Sequence, residues 1–454
     1  MNTKTSIKFI NHASYIISYK DINLLVDPWF DGNAFNDGWS LVSPTYINDN
    51  IIKSLTHIWI SHEHPDHFSI PDLIRIRKIN KNVKILFQRT KDKRVYNFLI
   101  NKSFEVIELN DLEEFKILSN FTIKIVKIPN IDSLSIVEVN NKIIINTNDC
   151  ILNNQYLNKV QNLVNKCDIL FTQFSYASWI GNPNEKSKRE KASSDKLNQI
   201  KEQINSFKPN IVIPFASFIY FSHNENFYMN DSINKLDDIV KLIQNSSSKP
   251  LILYPGSTYT IDEKYDFSEI NLEKYNKDFE SIKSKKKITS QTITEKKLIN
   301  SSNFYINKIQ KKNNIFIIFI IFYLSKIIKK IFKNDLFGFG DLKIYIIDLD
   351  MNFKFNLING LYVSQSKDFD VAISSQSLDY IFNYEWGIGS LMINGRGYYK
   401  NEKSKWLFIR GFSLGLINSN GETLISKIFQ KLVNKKNNID DIEPSFIRTN
   451  KKNF

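Results

Sequence analysis

The chain has 454 residues, a formal net charge of +14, 42 % hydrophobic and 13 % aromatic residues. That length favours two domains, and that apolar content excludes wholesale disorder. The basic residues are scattered rather than gathered into an arginine-rich stripe, so a solvated lysine surface is expected and a nucleic-acid partner is not.

The start "MNTKTSIKFINHAS" lacks the pattern of a secretory leader, and two cysteines, Cys150 and Cys167, cannot build a disulfide framework. A reducing cytoplasmic location is the expectation. In the first part of the chain, "SIKFINHASYIISY", "INLLVDPW", "HIWIS", "VKILFQ", "FTIKIVKI", "LSIVEVN", "KIIINTND", "DILFTQF" and "NIVIPFA" read as strands. "IPDLIRIRKI", "DKRVYNFLI", "KLNQIKEQINSF" and "KLDDIVKLIQN" have helical spacing. The pattern implies a layered α/β sandwich over residues 1–262.

Residues 263–311 are charged and helix-prone, and read as a connector. Residues 312–454 read as a small α+β domain. Its apolar run, Ile315 to Leu324, is about half the ~20 residues needed to span a bilayer. We expect a core helix there; the flanking Lys311, Lys312, Lys326, Lys329 and Lys330 leave open a peripheral membrane contact.

The chemistry concentrates at residues 57–69, "HIWISHEHPDHFS", where His62, His64, Asp66 and His67 fall within six positions. His62 and His64 follow a strand two apart, so in extended backbone both imidazoles leave one face. A turn before the next helix then brings Asp66 and His67 alongside. Imidazoles and carboxylates suit zinc, iron or manganese, so one or two divalent ions are expected. His57 begins the strand and belongs at its far end.

"HEHPDH" after a strand resembles the H-x-H-x-D-H signature of the metallo-β-lactamase superfamily, which implies an αββα sandwich over about residues 5–260 with metals at one edge of its sheets. The resemblance implies further roles. Asp27 in "LLVDPWF" would orient ligands; Asp149 in "INTNDC" would bridge two ions; His223 in "FSHNENF" would complete a site with Asp66, His67 and Asp149. The histidine usually found between signature and bridging aspartate is missing from residues 68–148, and Asp132 is the expected oxygen substitute beside His62 and His64. His12 in "NHAS" is expected behind the ligands, in packing or hydrogen bonding. Asp66 is the expected proton carrier.

"DPWFDGNAFNDGWSLVSP" and "PFASFIYFSHNENFYMND" are similar to the metal-binding part of the CMP-N-acetylneuraminate hydroxylase family, although two cysteines cannot form that family's Rieske centre. The resemblance therefore leaves three expectations: a metal-dependent hydrolase of an ester, amide or phosphodiester, an iron oxygenase acting on a sugar nucleotide with an external electron donor, and a metal-binding scaffold. The substrate is a small molecule, anionic in the second case. Trp39, Tyr176 and Trp179 can stack on a sugar or base, or close the core. The C-terminal block, "DFDVAISSQSLDYIFNYEWGIGSLMINGRGYY", faintly resembles sterol-carrier-type domains in its order of strand, helix and glycine-containing strand.

Overall fold

The computed structural model describes residues 4–129, 131–265, 268–332 and 340–427. The parts of the expected connector and C-terminal domain at 266–267, 333–339 and 428–454 lie outside them.

Two mixed seven-stranded sheets form the first unit. In spatial order, one contains Thr258–Thr260, Ser6–Asn11, Ser14–Tyr19, Ile22–Val26, His57–Ile60, Lys84–Gln88 and Glu105–Leu109. The other contains Lys249–Pro250, Ile211–Phe215, Ile169–Gln173, Lys142–Asn146, Ser133–Val139, Phe121–Lys127 and Glu114–Leu118. Successive side chains on a strand point to opposite faces. Accordingly Leu24, Val26, Trp59 and Leu86 enter the core shared with the second sheet. Their neighbours Leu25, Ile58, Ile60, Ile85 and Phe87 pack instead on Ile52, Leu73, Ile76, Val95 and Leu99 of the outer helices Asp49–Ser54, Ile70–Ile79 and Arg94–Asn101. Ile200, Ile204, Ile239 and Ile243 of helices Lys186–Phe207 and Leu236–Gln244 cover the second sheet. The result is the αββα sandwich.

Strand Ile22–Val26 is parallel to His57–Ile60, and Lys142–Asn146 is parallel to Ile169–Gln173. Parallel neighbours end at the same sheet edge, so Asp27, the "HEHPDH" segment and Asp149 emerge at strand ends. Strands Ser6–Asn11 and Ser14–Tyr19 are joined by the two-residue turn His12-Ala13, with His12 at φ +45°. That left-handed backbone suits a tight hairpin and sets His12 at the turn.

The remaining chain closes over this edge. A five-stranded sheet runs Gly360–Val363, Met351–Asn356, Leu342–Ile346, Val371–Ile373 and Tyr398–Tyr399. The expected glycine-containing strand differs: "GIGSLMIN" forms a helix, Gly387–Asn394, ended by Gly395 at φ +69°, and only Tyr398–Tyr399 returns to the sheet. Its four apolar residues, Ile388, Leu391, Met392 and Ile393, are all buried, which a sheet edge would leave open. The expected connector is also more deeply packed than its charge implies. Leu298, Tyr305, Ile306 and Ile309 of helix Glu295–Lys312 lie in one apolar cluster with Phe355, Phe382 and Phe412, because the lysines occupy only its outer face. No helix among the described residues is long and apolar enough to cross a membrane.

The same cluster takes in Trp29, Phe35, Trp39, Tyr176 and Trp179 from the first unit. Gly38 approaches Asn394 so closely that a Cβ has no room. The buried Arg396 guanidinium donates to Glu225 Oε2 (3.1 Å), Ser290 Oγ (2.8 Å), Gln376 Oε1 (3.0 Å) and the Asn36 carbonyl. Truncating one partner of a buried charged network leaves the other desolvated and unpaired. Arg396→Ala should therefore lower unfolding stability by about 3–5 kcal/mol in chemical denaturation, whereas Ile74→Ala, on an exposed helix face, should stay within about 0.5 kcal/mol.

Candidate metal centre

Two groups of side chains converge at the sheet edge. His12, Asp66 and His67 form one; His62, His64 and Asp149 form the other, with the ligand atoms of each within 4.8 Å of one another. Asp66 Oδ2 lies 3.3 Å from His12 Nε2 and 3.1 Å from His67 Nε2. His62 Nε2 and His64 Nδ1 are 2.8 Å apart. Asp149 Oδ2 is 3.7 Å from His62 Nε2 and 3.8 Å from His67 Nε2, so this carboxylate stands between the groups.

Asp27 governs both. Its fully buried carboxylate accepts from the Ser61 backbone N–H (2.7 Å), from Ser61 Oγ (2.8 Å) and from His67 Nδ1 (2.9 Å). Donation from Nδ1 to Asp27 makes Nε2, which faces Asp66, the nitrogen that a cation would meet once its proton is displaced. Ser61 Oγ, its proton committed to Asp27, accepts from His62 Nδ1 at 2.9 Å, which likewise frees His62 Nε2. One carboxylate thus sets the tautomer of a histidine in each group, the arrangement that metal-binding imidazoles require. Ser61 is itself held through its carbonyl by Ser133 Oγ (2.6 Å) and Gln88 Nε2 (3.3 Å).

The electrostatics are those of a site built around a cation. Burial would raise Asp66, yet the His67 charge and the His12 and His67 hydrogen bonds hold it well below the usual carboxylate range. Burial alone would depress His67; the Asp66 and Asp149 carboxylates instead drive it well above its ordinary value. Burial pushes His62 down to about 3 and outweighs the pull of Asp149. Three carboxylates, Asp27, Asp66 and Asp149, therefore share one strongly favoured imidazolium. Asp66 Oδ1, Asp149 Oδ1, Asn148 Oδ1 and His12 Nδ1 are buried without a hydrogen-bond partner. Buried lone pairs left unmatched are unfavourable unless a cation answers them, so the donor set fits divalent ions.

The structure combines the expected ligands differently from the superfamily pattern. His12, expected behind the site, faces Asp66 directly, with its ring edge-on to Trp29 at 5.5 Å between centroids. His223 lies outside both groups. Its backbone N–H donates to Asn226 Oδ1, its Nδ1 accepts from the Glu225 N–H (3.2 Å), and burial with the Arg396 charge pushes it down to about 4. Strand Ile219–Phe221, paired with Trp39–Leu41, directs His223 toward the C-terminal unit instead. Asp132 is likewise in neither group; burial and the Asp149 charge push its carboxyl up to about 8. His57, at the strand's other end, hydrogen-bonds Thr56.

Trp39, Tyr176 and Trp179 are buried; among them Trp179 also lines a cavity with Asn182, Tyr399 and Lys405, away from the two groups. Trp39 packs edge-on to Phe35, Tyr176 donates its hydroxyl proton to the Met229 carbonyl, and Trp179 Nε1 donates to Tyr228 Oη (3.0 Å). The C-terminal unit covers them. Phe35, held through its carbonyl by Asn394 Nδ2 (2.9 Å), in turn meets the His64 ring at 5.7 Å. Arg94 ties Glu63, inside the signature, to the Ser419 carbonyl. Lys196, missed in the sequence because it sits on a lysine-rich helix, lies in the field of Asp149 and Asp132; burial pushes it down to about 8 against their pull.

Residues 6–146 match the model of a β-lactamase superfamily domain. The chain is similar to the cytidine monophosphate-N-acetylneuraminic acid hydroxylase of Danio rerio, 25 % identical over 278 residues that cover 55 % of this chain and 44 % of that one. The Asterias rubens hydroxylase is 26 % identical over 256 residues, 52 % of this chain and 38 % of the other. The chain thus spans less than half the length of these relatives. Among solved structures, Igni18, a metallo hydrolase from Ignicoccus hospitalis, matches with TM-score 0.40 and 15 % identity over 58 % of this chain and 100 % of its own. CmlA, a diiron beta-hydroxylase from Streptomyces venezuelae, matches with TM-score 0.40 and 16 % identity over 57 % and 55 %. The first unit of this chain is a metallo-β-lactamase-fold domain whose sequence resembles the CMP-N-acetylneuraminate hydroxylase branch of that superfamily.

Proposed function

We propose that the chain is a metal-dependent hydrolase of an ester, amide or phosphodiester in a small, anionic substrate. The observation that carries this reading is the pair of adjacent groups, each of two imidazoles and one carboxylate, joined by Asp149. Three protein donors per ion leave coordination positions for water and substrate. When bound, divalent ions supply Lewis acidity, which makes water nucleophilic at neutral pH and polarises the bond to be cleaved.

The chain's own groups do the rest. Asp27 and Ser61 keep His67 and His62 in the tautomers that expose Nε2. Asp66 Oδ1, buried and unpartnered, is the acceptor for the proton of the attacking water and returns it to the leaving group. Lys196 supplies a cation for the substrate's negative charge.

A second reading is an iron-dependent hydroxylation with electrons from a separate donor. It is favoured by the names of the sequence relatives and by the two-histidine, one-carboxylate composition of each group, which is also the donor set of non-haem iron oxygenases. Protein purified without added metal distinguishes the two. Zinc or manganese with anaerobic turnover supports hydrolysis; stoichiometric iron with oxygen uptake overturns it in favour of hydroxylation. The binding of either ion set by the described groups predicts that His12→Ala loses about one of two equivalents by elemental analysis, while His223→Ala retains both. Asp66→Asn should lower turnover by roughly 10²- to 10⁴-fold, and unchanged turnover would remove its proton-carrying role.

A further inference from the structure

Helix Ile315–Phe332 carries a surface that the metal centre does not use. Its Ile318, Phe322 and Ser325 are buried against the C-terminal core. On the other side Phe316 (75 % exposed), Ile320 (58 %), Tyr323 (55 %), Leu324 (42 %), Ile327 (53 %) and Ile331 (65 %) stand in solvent. At 3.6 residues per turn these six positions fall within one arc of about 100°, running most of a helix about 27 Å long. Large apolar side chains scattered singly on a surface need no explanation, but a continuous stripe of this kind marks an interaction site.

Charge says what the stripe meets. Residues 296–332 contain eight lysines and no acidic residue, so much of the chain's +14 is concentrated here. Lys326 and Lys330 border the apolar arc, and Lys311 and Lys312 precede it. Some of these charges are partly met: Lys308 and Lys312 reach Glu385 (3.2 and 2.8 Å), Lys297 reaches Asp379 (3.9 Å) and Lys326 reaches Asp341 (4.0 Å). Lys311 and Lys330 have no carboxylate within 4.0 Å among the described residues. An acid-free basic segment repels a second copy of itself, whereas it attracts a surface of fixed negative charge. Lysine stems can lie along apolar surface while their ammonium groups stay in the polar layer.

We propose that this helix is an interfacial anchor, which lays its exposed arc on an anionic lipid surface without crossing it. An apolar arc gives depth of insertion and the bordering cations give preference for anionic headgroups; neither alone suffices for stable attachment. The helix is too short and too basic to span the bilayer, so attachment is reversible and sensitive to salt.

The test is co-sedimentation of the full chain with vesicles of phosphatidylcholine alone and of phosphatidylcholine mixed with phosphatidylglycerol. Binding should be at least about tenfold tighter to the anionic vesicles and should weaken as salt rises. The quadruple variant Phe316→Ser, Ile320→Ser, Ile327→Ser, Ile331→Ser should lose it with unchanged circular dichroism and metal content. Lys326→Gln with Lys330→Gln should lose the anionic preference. Tyr323→Trp keeps an aromatic at an exposed position, and its emission should shift to the blue on anionic vesicles. Equal binding to both vesicles, no binding to either, or a dimer in sedimentation that the serine variant abolishes would overturn the proposal.

Discussion

The centre depends on one buried carboxylate. Asp27 sits at the end of strand Ile22–Val26 with no exposed surface, at φ +40°, with its backbone N–H bonded to the Trp59 carbonyl at 3.0 Å. An ionised group there is unfavourable unless every lone pair is met, and burial does raise its pKa. The partners that meet it are Ser61 and His67, so satisfying Asp27 fixes the path of the chain through the signature. The candidate ligands follow from that path: His67 directly, His62 through Ser61.

Around this point the two sheets act as a jig. Parallel neighbours deliver Asp27 and Ser61 side by side, and the register Val26↔Trp59 sets the spacing between them. The hairpin turn at His12 and the turn after Lys142–Asn146 arrive from either side, each using a left-handed residue, His12 and Asn148, to aim a ligand across the edge. The C-terminal unit then supports the loops that the sandwich leaves open. Asn394 and Arg396 grip residues 35–36, Phe35 touches His64, and Arg94 couples Glu63 to Ser419. Trp39, Tyr176 and Trp179, which read equally as substrate contacts or as closing the core, pack in this support.

Much of this was legible in the sequence. The strand runs and helical spacings identify the sandwich, and "HEHPDH" announces ligands because six adjacent residues carry the pattern by themselves. What was not legible depended on distance in the chain. His12 lies 50 positions before His62 in an ordinary-looking hairpin, and only the order of strands in the sheet brings them together. His223 reads as a ligand because it is the last histidine after a strand; in the structure that strand pairs with Trp39–Leu41 and His223 stands outside both groups, in the field of Arg396 from the C-terminal unit. The glycine-containing stretch at 389–399 reads as a strand by its composition, and tertiary burial makes its first part the end of helix Gly387–Asn394.

The proposed function requires two ions at two adjacent positions, one at His12, Asp66 and His67 and the other at His62, His64 and Asp149. Anomalous diffraction from a crystal of the metal-loaded protein, recorded on either side of the absorption edge of the bound element, tests it most directly. Two peaks are expected, one within each group, with Asp149 between them. A single peak, or a peak coordinated by His223 in place of His12, would contradict it.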